Sequence, residues 1–289
     1  MCWQPVQDFD SQVAQKLIGC CADGRVVTWT VHTGNKLEHN FLSLDPKQAY
    51  QAVAYSFDGN RFVAAGDNPS LEVFDADTHK LIHSFDKYKH PMHKNKVFVA
   101  KFSPLAVNMV YSAGWDRQVK FWDVRTDTLV QQINGIQICG DSVDMSMNNQ
   151  QVVTGGGSLG EGIHLWDMRK LDKPMKHFGW EGTKNETIEQ QKIDKYFVNP
   201  TVNVVKFAPI AGTLGLDSDY IMAGCRDNLN QSHVKCIATR TGAIVNEFKY
   251  VKDSCLSLDV SRDGSLACLA DTTGVLHMEN INLMKKDFC

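Results

Sequence analysis

Apolar residues along this chain gather in short runs separated by compact polar turns. Residues 97–102, 109–111 and 119–122 are dominated by β-branched and aromatic side chains, which suit the pleated backbone of a strand. Ala22-Asp23-Gly24, Thr33-Gly34, Asp58-Gly59, Thr241-Gly242 and Asp263-Gly264 mark turns between such runs, because glycine reaches the left-handed backbone region without steric cost. Within these segments the apolar positions do not hold a helical period for more than about two turns. The pattern predicts many short strands joined by tight turns.

The runs recur. Val119-Lys120-Phe121-Trp122-Asp123 aligns with Ile163-His164-Leu165-Trp166-Asp167, with Val234-Lys235-Cys236-Ile237-Ala238 and with Leu71-Glu72-Val73-Phe74-Asp75. Val26-Val27-Thr28-Trp29 and Val275-Leu276-His277-Met278 take the same slots, so a bulky anchor falls at Trp29, Phe74, Trp122, Trp166, Ile237 and Met278. A second anchor runs in step at Trp3, Tyr55, Phe102, Met145, Phe207 and Val260, at spacings of 52, 47, 43, 62 and 53 residues. That is the length of a four-stranded blade, with one insertion. Four short strands cannot cover both faces of their own sheet, so the repeat predicts sheets stacked around an axis.

The third copy carries a family resemblance: Val97 to Phe102 followed by Ser103-Pro104, then Tyr111-Ser112-Ala113-Gly114-Trp115-Asp116, then Val119 to Asp123. It resembles a WD repeat, with Trp122-Asp123 as the dipeptide that names that family. The resemblance implies an all-β, WD-repeat β-propeller of four-stranded antiparallel blades, with six recognisable repeats. It also implies a structural tetrad of His93, Ser112, Asp116 and Trp122, in which the buried indole N–H finds an acceptor. Elsewhere the pattern is looser. Met92 stands where a glycine usually precedes the histidine, the first copy keeps Asp23 and Trp29 without a histidine, and the fifth and sixth copies lack the tryptophan. The run Gly135-Ile136-Gln137-Ile138-Cys139-Gly140-Asp141 is similar to a segment in a group of WD-repeat proteins and implies no activity. Six copies with no strand ahead of the first suggest a seven-bladed ancestry with an incomplete first unit. The expected organisation is one propeller domain over residues 1–289, with a polar insertion at about 180–200.

Charge and composition narrow the function. The net charge of −3 lacks the basic footprint of a nucleic-acid or anionic-lipid binder, and no Lys/Arg block is longer than the pair Lys285-Lys286. No apolar run approaches the roughly 20 residues of a membrane-spanning helix, and the start resembles no secretion signal. Nine cysteines are an odd number, which points to thiols in a reducing compartment and leaves the sequons at Asn185 and Asn230 inert. An intracellular, cytoplasmic protein is expected; a cytoskeletal or ciliary association would look the same at this level.

Several constellations invite chemistry. His90 and His93, with Cys20, Cys21 and Cys225, lack the paired ligand spacing of a zinc site. Ser112, His93 and Asp116 have the residue types of a catalytic triad, but the repeat assigns them to the scaffold. Gly155-Gly156-Gly157 lacks the lysine of a phosphate loop and reads as a strand-to-turn transition. Three residues are candidate protein-binding positions. Trp115 precedes the turn aspartate at the open end of a blade, Arg226 occupies a nearby slot of the fifth copy, and Trp180 opens the long insertion. The expected function is a scaffold that docks other proteins or peptides, with no cofactor, no metal and no catalysis. The oligomeric state stays open. The competing reading is a propeller enzyme with its site at the central channel.

Overall fold

The structure, a computed structural model, describes residues 1–5, 16–30, 36–42 (as backbone), 48–85, 88, 91–158, 161–179, 201–208, 220–226, 232–248, 254–261 and 264–281. These residues form antiparallel sheets in sequence order, the blades of a β-propeller, with no helix among them. The chain divides into two compact units, Met1–Gly135 and Ile136–Cys289.

The first unit holds three four-stranded sheets. They are β1 to β4 (Cys2–Trp3, Lys16–Cys20, Arg25–Thr30, Lys36–Leu42), β5 to β8 (Tyr50–Tyr55, Arg61–Gly66, Leu71–Asp75, Leu81–Phe85) and β9 to β12 (Val97–Phe102, Met109–Gly114, Gln118–Asp123, Thr128–Asn134). Alternation along β6 shows why a blade needs two neighbours. Phe62 and Ala64 pack with Ile18 and Val26 of the first sheet. Val63 and Ala65 point the other way, into a core with Val97, Phe102, Val110 and Trp122 of the third. Successive strand residues face opposite sides, so a central blade is apolar on both. Arg61 ties the second sheet to the third, donating to the Val107 carbonyl at 2.5 Å and lying 5.5 Å from the centre of the Phe102 ring.

The second unit holds β13 to β16 (Val143–Met145, Gln151–Gly155, Ile163–Asp167, Lys176–Phe178), β17 to β20 (Thr201–Ala208, Tyr220–Arg226, Ser232–Ala238, Ile244–Phe248) and β21 to β23 (Cys255–Val260, Leu266–Asp271, Leu276–Asn280). The same stacking recurs: Val153, Ile163 and Leu165 pack against Val202, Val205 and Ile221. Val204, Met222 and Val234 pack against Cys255, Leu258 and Leu269. Among the described residues the last sheet has three strands rather than four. Its anchor, Met278, is 70% exposed, so this sheet lacks the buried pivot that Trp122 and Trp166 supply to theirs.

Turn chemistry repeats with the blades. Ser56 accepts the Arg61 amide, Asp58 accepts the Asn60 amide, and Gly59 takes φ +72°. Ser146, Asn148 and Asn149 build the same turn, with asparagine at φ +57° in the glycine slot. Asparagine is among the few residues that tolerate that region.

Candidate protein-docking site

The aspartate after each buried aromatic is a turn cap. Asp75 accepts the Thr78 amide at 2.7 Å, Asp123 the Arg125 amide at 2.8 Å and Asp167 the Arg169 amide at 2.9 Å. Each carboxylate is held below its ordinary range. Hydrogen bonds dominate at Asp75 and at Asp167, which falls to about 2; at Asp123, partial desolvation is outweighed by them. The Trp-Asp pair thus couples two tasks, an indole in the core and a carboxylate that closes the next turn.

The structure brings His93, Ser112, Asp116 and Trp122 together. Trp122 Nε1–H donates to Ser112 Oγ at 2.9 Å, Ser112 Oγ lies 2.8 Å from His93 Nε2, and His93 Nδ1 lies 2.9 Å from an Asp116 oxygen. Because the indole can only donate, the chain of bonds runs Trp122 to Ser112 to His93 to Asp116, which assigns the Nδ1–H form of the imidazole from the network. Asp116 also accepts the amides of Lys94 and Gln118. Desolvation is the largest single effect on its carboxyl and pushes the pKa up. The hydrogen bonds from His93 and the two amides outweigh that and hold it below the ordinary value.

The fourth blade keeps half of this device. Trp166 Nε1–H donates to Thr154 Oγ1 at 3.0 Å, while the carboxylate of Glu161 accepts the amides of Gln137 and Ser158 near the turn. Where the third blade has Lys120, this one has His164, packed at a tilt of 56° on its cross-strand partner His177 with ring centres 4.6 Å apart. Burial, and secondarily the charge of His177, pushes His164 down to about 4. The unfolded chain then binds the proton first as pH falls below about 6.5, so this contribution is complete above that value and drains away toward pH 4. His164→Gln should remove on the order of 1 kcal/mol of the stability lost between about pH 7 and pH 5, after discounting for partial exposure. Urea unfolding of both proteins at the two pH values measures it; parallel losses would assign the pH dependence to other groups.

Trp115 sits at the turn end of the third blade, 40% exposed, its ring 5.2 Å from that of Phe98 at 43°. It therefore packs on Phe98 while part of its surface stays exposed. Its amide donates to the Lys96 carbonyl at 3.1 Å, as the Asp67 amide does to Ala49 in the second blade. Lys94 and Arg117 are exposed beside it, and Lys96 pairs with Asp67 at 3.0 Å. The Arg117 guanidinium caps the Gly135 carbonyl at 2.6 Å. A search for contiguous basic blocks misses these cations, because they come from two turns about 20 residues apart in the chain; the alternation Lys94-Asn95-Lys96 beside Trp115-Asp116-Arg117 is the signal that finds them.

Arg226 closes β18 in the other unit, half-buried and paired across to Thr201 and Ser232. Its carbonyl accepts the Thr201 hydroxyl at 3.5 Å, so its backbone is part of the ladder. His90, Trp180 and the insertion at 180–200 lie outside the described residues.

No protein-family profile matches the chain. Among curated proteins it is similar to the Polycomb protein esc of Drosophila virilis, 22% identical over 195 residues, 65% of this chain and 42% of that protein. It is also similar to Actin-interacting protein 1 of Drosophila melanogaster, 26% identical over 117 residues, 40% of this chain and 18% of that protein. Pre-mRNA-processing factor 17 of Mus musculus is 20% identical over 154 residues, 53% of this chain and 25% of that protein. The chain thus spans less than half the length of each of these relatives.

Proposed function

We propose that this chain, a WD-repeat β-propeller chain like those relatives, works as a protein-interaction scaffold that docks partners on the faces of its blades. Trp115 is the observation that carries the reading. A partly exposed indole stands on a turn that the buried His93–Asp116 network fixes from below. An aromatic held in place before binding loses little freedom on contact, and tryptophan is enriched among the residues that dominate interface energies.

The same network argues against hydrolysis. Ser112 is fully buried and its oxygen already engages both Trp122 and His93, which leaves a substrate carbonyl no line of approach. Proteins or peptides are the expected partners, and the net charge of −3 disfavours a phosphate backbone or an anionic lipid surface. Among the described residues no helix is long and apolar enough to cross a membrane. The eight described cysteines form no disulfide with one another, which suits a reducing, cytoplasmic home. One propeller domain over residues 1–289 belongs to the same reading.

Hydrogen–deuterium exchange of the full chain, alone and with a partner purified on it, tests the proposal. Slower exchange is expected at the blade turns, around residues 94–96 and 115–118 among them. Unchanged exchange at every blade turn with the partner bound would sink it.

A further inference from the structure

Resting on the scaffold reading, we infer that the turn end of the third blade takes an acidic partner segment carrying an aromatic or bulky apolar side chain. The chain as a whole carries −3, yet this turn end gathers Lys94, Lys96 and Arg117 within the two turns that flank Trp115. Of the carboxylates there, Asp116 is 2% exposed and turned inward to His93 and two amides, so its charge is spent beneath the surface. Asp67 remains partly exposed and is paired with Lys96. Three cations face solvent against one neutralised carboxylate. Underneath, the ammonium of Lys120, buried on the Pro91 carbonyl at 2.7 Å, offsets the buried Asp116 carboxylate.

The second element is the indole. Phe98 packs against Trp115 at 5.2 Å, and the indole stays 40% exposed on the turns that carry the cations. The turn is rigid: the Trp115 amide is bonded to Lys96, the Lys94 amide to Asp116, and Arg117 holds φ +63° with its guanidinium on Gly135. A preset aromatic on turns that also carry cations complements a segment that alternates carboxylates with an aromatic or leucine side chain. A nucleic-acid strand fits less well, since about three phosphate contacts give little affinity at physiological salt and the remaining surface of an acidic protein repels the strand.

Fluorescence anisotropy of the full chain tests this. The probe is a fluorescein-labelled peptide of alternating glutamate and phenylalanine, with its lysine-for-glutamate counterpart and an oligouridine strand of equal length as comparisons. The acidic peptide should bind, and its lysine counterpart should not. Trp115→Ala should weaken the acidic peptide about tenfold, and Trp115→Phe should restore most of that. Lys94→Glu, an exposed change that leaves the core intact, should weaken it several-fold, an effect that shrinks as salt rises. Circular dichroism of each variant reads folding separately. Failure of the acidic peptide to bind, binding indifferent to both Trp115→Ala and Lys94→Glu, or tighter binding of oligouridine would each overturn the inference. If it fails while a partner still protects turn amides of other blades, the scaffold reading stands and only this surface has been misassigned.

Discussion

Replacing His93 with alanine should lower the unfolding free energy by about 2–3 kcal/mol, the cost of leaving a buried carboxylate and a buried hydroxyl each short of a partner. His93 is 3% exposed, and truncation leaves the Asp116 carboxylate, 2% exposed, with the amides of Lys94 and Gln118 as its remaining network partners. Ser112 loses the acceptor for its hydroxyl proton while still receiving the Trp122 indole. Asp116→Asn should cost less, because the amide keeps the shape and part of the bonding. It should also remove one step of acid sensitivity. The Asp116 pKa is depressed in the folded chain, so its contribution is present above the unfolded carboxyl value of about 3.9 and is lost as pH falls through the folded value. Urea unfolding at neutral and acid pH measures both effects, read as differences from the parent because Asp167 and Asp271 are also depressed, to about 2. A double substitution with Ser112→Ala should fall short of additivity by about 1–2 kcal/mol if the four groups act as one network. A His93→Ala loss below about 1 kcal/mol would show the network to be ornamental to stability.

The repeat explains why so much of the fold was legible. Anchors at Tyr55, Phe102, Met145 and Val260 fall on the last residues of β5, β9, β13 and β21, and Phe207 falls one residue short of the end of β17. Each strand reads the same local code, a β-branched run closed by a turn whose serine, aspartate and glycine satisfy one another's backbone groups. What depends on two segments at once was not legible. Met278 fits the anchor slot by spacing, yet β23 has β22 alone as its described strand neighbour, and the side chain stays exposed. Glu161 takes over part of the Asp116 task in the fourth blade from a different position in its turn, so alignment by slot passes over it. The cations around Trp115 converge from two turns, and their common surface exists only once β9 and β10 pair. The repeat reads the triad-like residue set as scaffold chemistry, but the burial of Ser112 and His93 depends on the packing of whole sheets and shows only in the fold.

That same convergence makes a glycine with no obvious role the most sensitive backbone position in the third blade. β10 meets β9 through a bulge between Ala113 and Gly114, which carries the pairing from Val99 to Val97 and draws the two backbones together. A Cβ on Gly114 would fall on the Lys96 carbonyl oxygen and within 3.1 Å of the Val97 Cα. The clash is with backbone, so no side chain can swing away to relieve it. Moving Lys96 breaks its bond to the Trp115 amide, displaces the fully buried Val97, and disturbs the turn that presents His93 to Asp116. Gly114→Ala should therefore cost about 3 kcal/mol or more, at the upper end of overpacking penalties. Gly66→Ala should behave alike, since the same bulge in the second blade places its Cβ on the Ala49 carbonyl and 2.7 Å from the Tyr50 Cα. Gly135→Ala is the internal comparison. Gly135 sits at φ +103° with nothing within 4 Å of an added Cβ, so the change carries backbone strain without a clash. It should cost about 1 kcal/mol. Chemical denaturation of the three variants separates the two costs. Equal losses at positions 114 and 135 would mean that close approach of β9 and β10 contributes nothing beyond the left-handed turn.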